Sequence, residues 1–424
     1  TGPVTLSAAA RLGCDAGTLT LSAANTITAS NQNLVISGSG DISINGSVAT
    51  GTGTLTKYNA GTLTLNGANT YTGITTVSAG VISIRNGAAL GTSAGYTVVN
   101  SGAALNVSGD ITVAEPLRIY GSGINNNGAL RSVSGNNTWN ASIAQYSAST
   151  IFCDAGTLTI DVPSGNAITG GYALTFGGPG NFIISDPIAT GGGALTKNGS
   201  GSVTLSAVNS YTGITTVNAG KLRYGIANAI STGRIVLAGG TYNTGSPAGF
   251  TDAVGTLALT DNSVIELGTG SHSLTFAGSS AVSWTGNALL AVTGWTGTVG
   301  SPGTSGKLFF GNTSSGLTAS QLSHIMFLIG GSYYSSKILT TGEVVPNTAA
   351  DAIATGALPS PAYCPGSGGI AVPFTYTIAS NYASATFTAQ ISDASGDFSV
   401  PTAVGSVASD ASGSQTITIT IPVA

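Results

Sequence analysis

Two long segments of this chain match each other at one fixed offset, and that repetition limits the fold more than any other feature. The first runs Leu55-Thr-Lys57-Tyr-Asn-Ala-Gly61-Thr-Leu-Thr-Leu65, then Asn69-Thr-Tyr71-Thr-Gly73-Ile-Thr-Thr-Val77-Ser-Ala-Gly80. The second runs Leu195-Thr-Lys197, Gly201-Ser-Val-Thr-Leu205, then Asn209-Ser-Tyr211-Thr-Gly213-Ile-Thr-Thr-Val217-Asn-Ala-Gly220. Cys14-Asp15-Ala16-Gly17 likewise matches Cys153-Asp154-Ala155-Gly156, with the offset shorter by one position. Fixed-period self-similarity of this kind belongs to solenoids and arrays, and here the super-repeat is about 140 residues long.

Within each copy a smaller unit recurs: a Gly, an alternating strand such as Thr18-Leu-Thr-Leu21, and a small polar turn. Further strands of this type are Leu34-Val-Ile36, Asp41-Ile-Ser-Ile44, Val81-Ile-Ser-Ile84 and Leu105-Asn-Val107. Alternation puts one set of side chains inside as stacked aliphatic ladders and leaves Thr, Ser and Asn outside. Gly and Asn supply the left-handed conformations that corners need. Coils of roughly 20 residues stacked about 4.8 Å apart predict roughly 15 coils in about the first 300 residues, a rod on the order of 70 Å. Cys14 and Cys153 then occupy equivalent inward positions roughly seven coils apart, too far for a disulfide, which needs Cα atoms within about 7 Å. The expectation is buried free thiols.

Composition fits this picture and excludes others. Lys and Arg together number 11 and Asp and Glu 15, against Gly 63. Disorder is nonetheless unexpected, because a mean hydropathy of +0.33 contradicts the low hydrophobicity that disorder requires. With a net charge of −4 and no basic stripe, counterion-release binding to nucleic acid has little to work with. No apolar run approaches the ~20 residues of a membrane-spanning helix. Thr1 opens no signal peptide, so an export signal is expected to have been removed.

The matched phrases resemble the autotransporter-associated β-strand repeat, over most of residues 1–290. The resemblance implies a secreted right-handed parallel β-helix from a bacterial surface protein, and it is silent about ligand. Composition then shifts: Trp295, Phe309, Phe310 and a short helix from Thr318 to His324 break the Gly/Thr rhythm. The organisation expected is a β-helix over 1–285, a C-terminal cap over 286–346 that covers the open end, a linker over 347–361, and an Ig-like β-sandwich over 362–424. The last segment, with Cys364-Pro-Gly and Phe387-Thr-Ala-Gln-Ile-Ser-Asp-Ala-Ser-Gly-Asp-Phe398, resembles a surface module of the Bacteroidota, which implies export by the type IX route. Only four or five strands can be read there, where an Ig-like sandwich has about seven. The chain also starts inside a repeat copy. Both features predict either a longer protein or a strand supplied by a neighbouring molecule.

Catalysis finds little support in the sequence. Asp15, Asp41, Asp110, Glu115, Asp154, Asp161, Asp186, Asp252, Asp261 and Glu266 are scattered singly, whereas polysaccharide-cleaving sites need paired acids. Asp15 and Asp154 recur beside Ala-Gly and read as turn residues. His272 and His324 share no context, and no zinc spacing or nucleophile motif is present. Asp393 and Asp397 are the two calcium candidates, with a plain turn as the favoured reading. Tyr71 and Tyr211 read as a structural ladder in preference to a sugar platform. The chain is therefore expected to be non-enzymatic and without cofactors: an extracellular structural or adhesive rod, alternatively a head-to-tail filament subunit, and last a polysaccharide-acting β-helix enzyme. Partners are expected to be further copies or a covalent continuation, with cell-surface or glycan contacts.

Overall fold

Short strands separated by turns rich in small and polar residues can satisfy their backbones by stacking on the equivalent strand one coil earlier. That is what the computed structural model shows. It describes residues 3–22, 26–245, 249–350, 352–356, 363–364, 366–377, 385–391, 401–409 and 413–422. The chain is nearly all β, 3% helical, with a parallel β-solenoid of about 12 turns and small antiparallel sheets near the C-terminus.

Each coil contributes to two or three parallel sheets. The first contains Val4–Leu6, Ile27–Ala29 and Val48–Ala49. The second stacks nine strands, from Ala10–Gly13 through Leu55–Lys57 to Ile188–Ala189. The third begins with Thr18–Leu21 and Asp41–Ile44, and a fourth begins with Thr112–Val113 and Asn136–Trp139. Coils differ in length: Thr97 stacks on Leu117, but Leu117 stacks on Ile143, a visibly longer excursion. Such longer coils are why the turns are fewer than a uniform coil of roughly 20 residues predicts.

Register produces the expected ladders. Leu34, Leu55, Thr75, Thr97, Leu117, Ile143, Ile168 and Ile188 form one continuous inward column of the second sheet, all buried. Ile44, Leu65, Ile84, Val107, Ser132 and Cys153 form another in the third. Each Leu or Ile taken out of water contributes roughly 1.5–3 kcal/mol. A solenoid coil meets only its two neighbours, so this burial along the columns is its main source of stability.

The repeat is not in phase with the coil. Leu55-Thr-Lys57 lies in the second sheet, but its counterpart Leu195-Thr-Lys197 lies in the third. Six coils separate Leu55 from Ile188 along the second sheet, and Leu195 comes one strand further on. The second copy is thus displaced by six coils and one face. Cys14 and Cys153 follow the same rule: Cys14 follows a second-sheet strand, and Cys153 ends a third-sheet strand. All three cysteines are free.

Parallel pairing continues through Gly306–Phe310 and Ile325–Ile329. The chain then reverses. Ser332–Ile338 pairs antiparallel with Ile325–Ile329, and Glu343–Ala350 pairs antiparallel with Gly306–Phe310. One hairpin so covers the open edges of the last two parallel strands, where a bare edge is a template for association. The short helix spans Ala319–Ser323, with Thr318 as N-cap in a reciprocal capping box with Gln321. Beyond it, Ala352–Thr355, Ile370–Thr377 and Gly413–Ile419 form one antiparallel sheet, and Ala385–Ile391 with Thr402–Ser409 a second. Phe374, Tyr376 and Phe387 pack between the two sheets, with ring centroids 4.4 Å apart for Tyr376 and Phe387.

Candidate functional site

The recurring phrase explains itself at atomic level. Lys57 and Lys197 point inward, each only 1% exposed, at the ends of their strands. The Nζ of Lys57 donates to the carbonyls of Tyr58 (2.7 Å) and Asn59 (2.8 Å). The Nζ of Lys197 donates to those of Asn198 (2.8 Å) and Gly199 (2.7 Å). The aliphatic stem fills the ladder while the ammonium satisfies corner carbonyls. No carboxylate hydrogen-bonds to either, and burial lowers both pKa values, that of Lys197 to about 8.

Asn69 and Asn209 join three coils each. Asn69 Oδ1 accepts from the Val48 N–H at 2.7 Å and its Nδ2 donates to the Ala89 carbonyl; Asn209 does the same with Ile188 (2.7 Å) and Ala229. Tyr71 and Tyr211 are buried, their hydroxyls paired with Thr75 (2.7 Å) and Thr215 (2.9 Å). They are ladder residues and offer no platform to a sugar. Gly73 and Gly213 allow close stacking: a Cβ at either would lie 2.2 or 2.3 Å from the carbonyl oxygen of Gly53 or Gly193.

The acids are mostly backbone staples as well. Asp41 accepts from the Thr62 N–H (2.8 Å), Asp110 from Asn136 (2.6 Å), Asp186 from Val162 (2.7 Å), and Asp252 from Asn228. Asp154 uses its carboxylate on Arg131, at 2.8 Å, and not on its own turn; Asp15 is exposed. Glu266 pairs with Lys221. Glu115 is buried with the Thr97 hydroxyl at 3.3 Å, and burial pushes its pKa up to about 7. His272 is buried and held on both nitrogens, by the Phe250 N–H and the Thr269 carbonyl. Asp393 and Asp397 lie outside the described residues. Among the described residues no group of three His, Cys, Asp or Glu could hold a metal ion, and no helix is long and apolar enough to cross a membrane.

Of the surface features, two bear on function. A cleft of about 840 Å³ opens beside the short helix, lined by Trp284, Gln321, His324, Val282, Leu289 and small residues. His324 is its one titratable group. On the outer face of the second sheet, Tyr96, Arg118, Tyr120 and Tyr146 form a cluster. The Arg118 guanidinium lies 3.7 Å from the Tyr96 ring centroid and 5.9 Å from that of Tyr146, while Tyr120 and Tyr146 stack at 5.2 Å and 19°. The sequence hid this cluster. Its members are spread from Tyr96 to Tyr146, and coils of unequal length give them no common period.

The family described as the passenger-associated-transport-repeat matches residues 15–30, 55–84 and 195–223. The last two stretches carry the Lys–Asn–Tyr–Gly phrase whose coil-to-coil contacts are given above. No curated protein and no solved structure matches the chain.

Proposed function

We propose that this chain is a stalk: the extended, passenger-type part of a secreted bacterial surface protein, which holds what it carries away from the cell. The single observation behind this reading is the coincidence of the passenger-repeat match with the parts of the phrase that lock one coil to the next. Residues that recur because they build the rod point to the rod itself as the selected product. About twelve turns at about 4.8 Å each make a spacer on the order of 60 Å. Most of the described acids satisfy backbone amides, Asp154 and Glu266 sit in ion pairs, and Glu115 is buried alone against a hydroxyl, which favours a scaffold over a catalyst. We read the C-terminal antiparallel sheets as the surface module that their phrases resemble, exported by the corresponding route.

Electron microscopy of native, untagged material, with protease shaving of intact cells, tests the proposal. Single rods of this calibre on the cell exterior support it. Fibres with a subunit repeat on the order of 100 Å, the length of a rod of such coils plus its terminal sheets, would replace it with the filament reading. Material protected inside intact cells would overturn it.

A further inference from the structure

The cluster around Arg118 has no role in the ladders that build the rod. Tyr96 precedes the strand Thr97–Val99, Arg118 is the centre of Leu117–Ile119, Tyr120 follows that strand, and Tyr146 follows Ile143–Gln145. These are three successive coils of the second sheet. The inward residues of the same strands fill the core, so the four side chains stand outside it. Tyr146 is 43% exposed.

Charge isolates the site further. Arg118 makes no ion pair: the two found among the described residues are Arg131–Asp154 and Lys221–Glu266. Glu115, the other charged residue of this strand's approach, is buried. The segments 70–78, 92–100 and 138–148, which flank it on neighbouring coils, contain no charged residue. One guanidinium thus lies over the Tyr96 ring, with its N–H edges unclaimed, beside one stacked pair of rings.

We infer that this face binds a uronate-bearing polysaccharide, laid along the rod. Tyr146, exposed beside its stacked partner Tyr120, offers apolar ring surface to the C–H faces of the sugars, and Arg118 takes a carboxylate through paired N–H donors. The coil spacing of about 4.8 Å is comparable to one sugar residue of an extended chain, so successive coils meet successive sugars. Ser78 and Asn100, which share the corner column of Tyr120 and Tyr146, supply hydroxyl and amide partners. Other occupants fit less well. The backbone of this sheet is already paired on both sides in the parallel stack, which leaves no edge for an added peptide strand. A nucleic acid or anionic membrane calls for several cations close together; the cluster has one, and Arg11, in the same outward column, lies five coils away. The inference goes beyond the stalk and does not depend on it.

Affinity electrophoresis and titration calorimetry of the full chain, with polygalacturonate and with alginate as probes, test it. Binding to at least one is expected, and full methyl esterification of polygalacturonate is expected to weaken binding to it tenfold or more. Arg118→Gln and Tyr146→Ala, checked for an unchanged melting profile, are each expected to lose about tenfold in affinity. Tyr333→Ala, an exposed tyrosine of the capping hairpin, is expected to bind as the parent does. No binding to either polymer, equal binding to the methyl ester, or parental affinity in both cluster variants overturns the inference. Tyr146 is exposed at a strand end, so its variant keeps the test decisive even if Arg118→Gln misfolds.

Discussion

Single residues set the pH response of this rod. Glu115 is buried, and its pKa in the fold is pushed from 4.5 to about 7. Between those values the unfolded chain ionises there and the folded chain does not, so stability falls as pH rises through that window and is then level. Glu115→Gln should remove that fall, which denaturant titrations at pH 5 and pH 8 will read as a gain confined to the higher pH. Lys197 has the opposite sign. Its pKa is lowered from 10.5 to about 8, so the folded chain sheds the proton first and stability rises between those values. Lys197→Met should abolish the rise seen between pH 8 and pH 10 in the same titration. The sequence did not disclose either group's burial. Alternation shows which way a side chain points only once the strand ends are known, and Lys197 is the last residue of its strand.

At the scale of the element, the phrase works by reaching into neighbouring coils. Asn69→Ala leaves the Val48 amide and the Ala89 carbonyl without partners, at a cost of about 1–3 kcal/mol for each buried group. The direct measurement is hydrogen exchange at the Val48 amide, which should accelerate while amides several coils away keep their protection. Gly213→Ala drives a methyl against the Gly193 carbonyl and should destabilise by about 1–3 kcal/mol. Gly192→Ala, where a Cβ meets nothing within 4 Å, is the tolerated control, and thermal melts of the pair separate stacking from chain entropy. The strands and their inward residues could be read from Thr18-Leu-Thr-Leu21 and its kin, because period-two alternation is local. The tyrosine–arginine cluster could not, because coils of unequal length bring Tyr96, Arg118 and Tyr146 together only in three dimensions. The spacing of Leu55 from Leu195 pointed to roughly seven whole coils with equivalent positions, where the structure has six coils and one strand, because unequal coils break the phase.

The whole molecule depends on its closed end. Leu308 and Phe327, on the last two parallel strands, are covered by the antiparallel hairpin. Removing residues 332–424 should send the remaining solenoid into higher oligomers, which sedimentation at fixed concentration will detect against the full chain. Cys364 is exposed and Cys153 is buried with a raised thiol pKa, so a thiol reagent should label Cys364 in the native rod and reach Cys153 only on unfolding. The phase slip between repeat and coil has a consequence for how such a rod could be lengthened. One further copy of the super-repeat would move everything beyond it along the axis by six coils and also turn it onto the adjacent face. Copy number is then a heading as well as a length. The rod grows as a screw, and a patch repeated once per copy would wind around it, facing a new direction at each appearance.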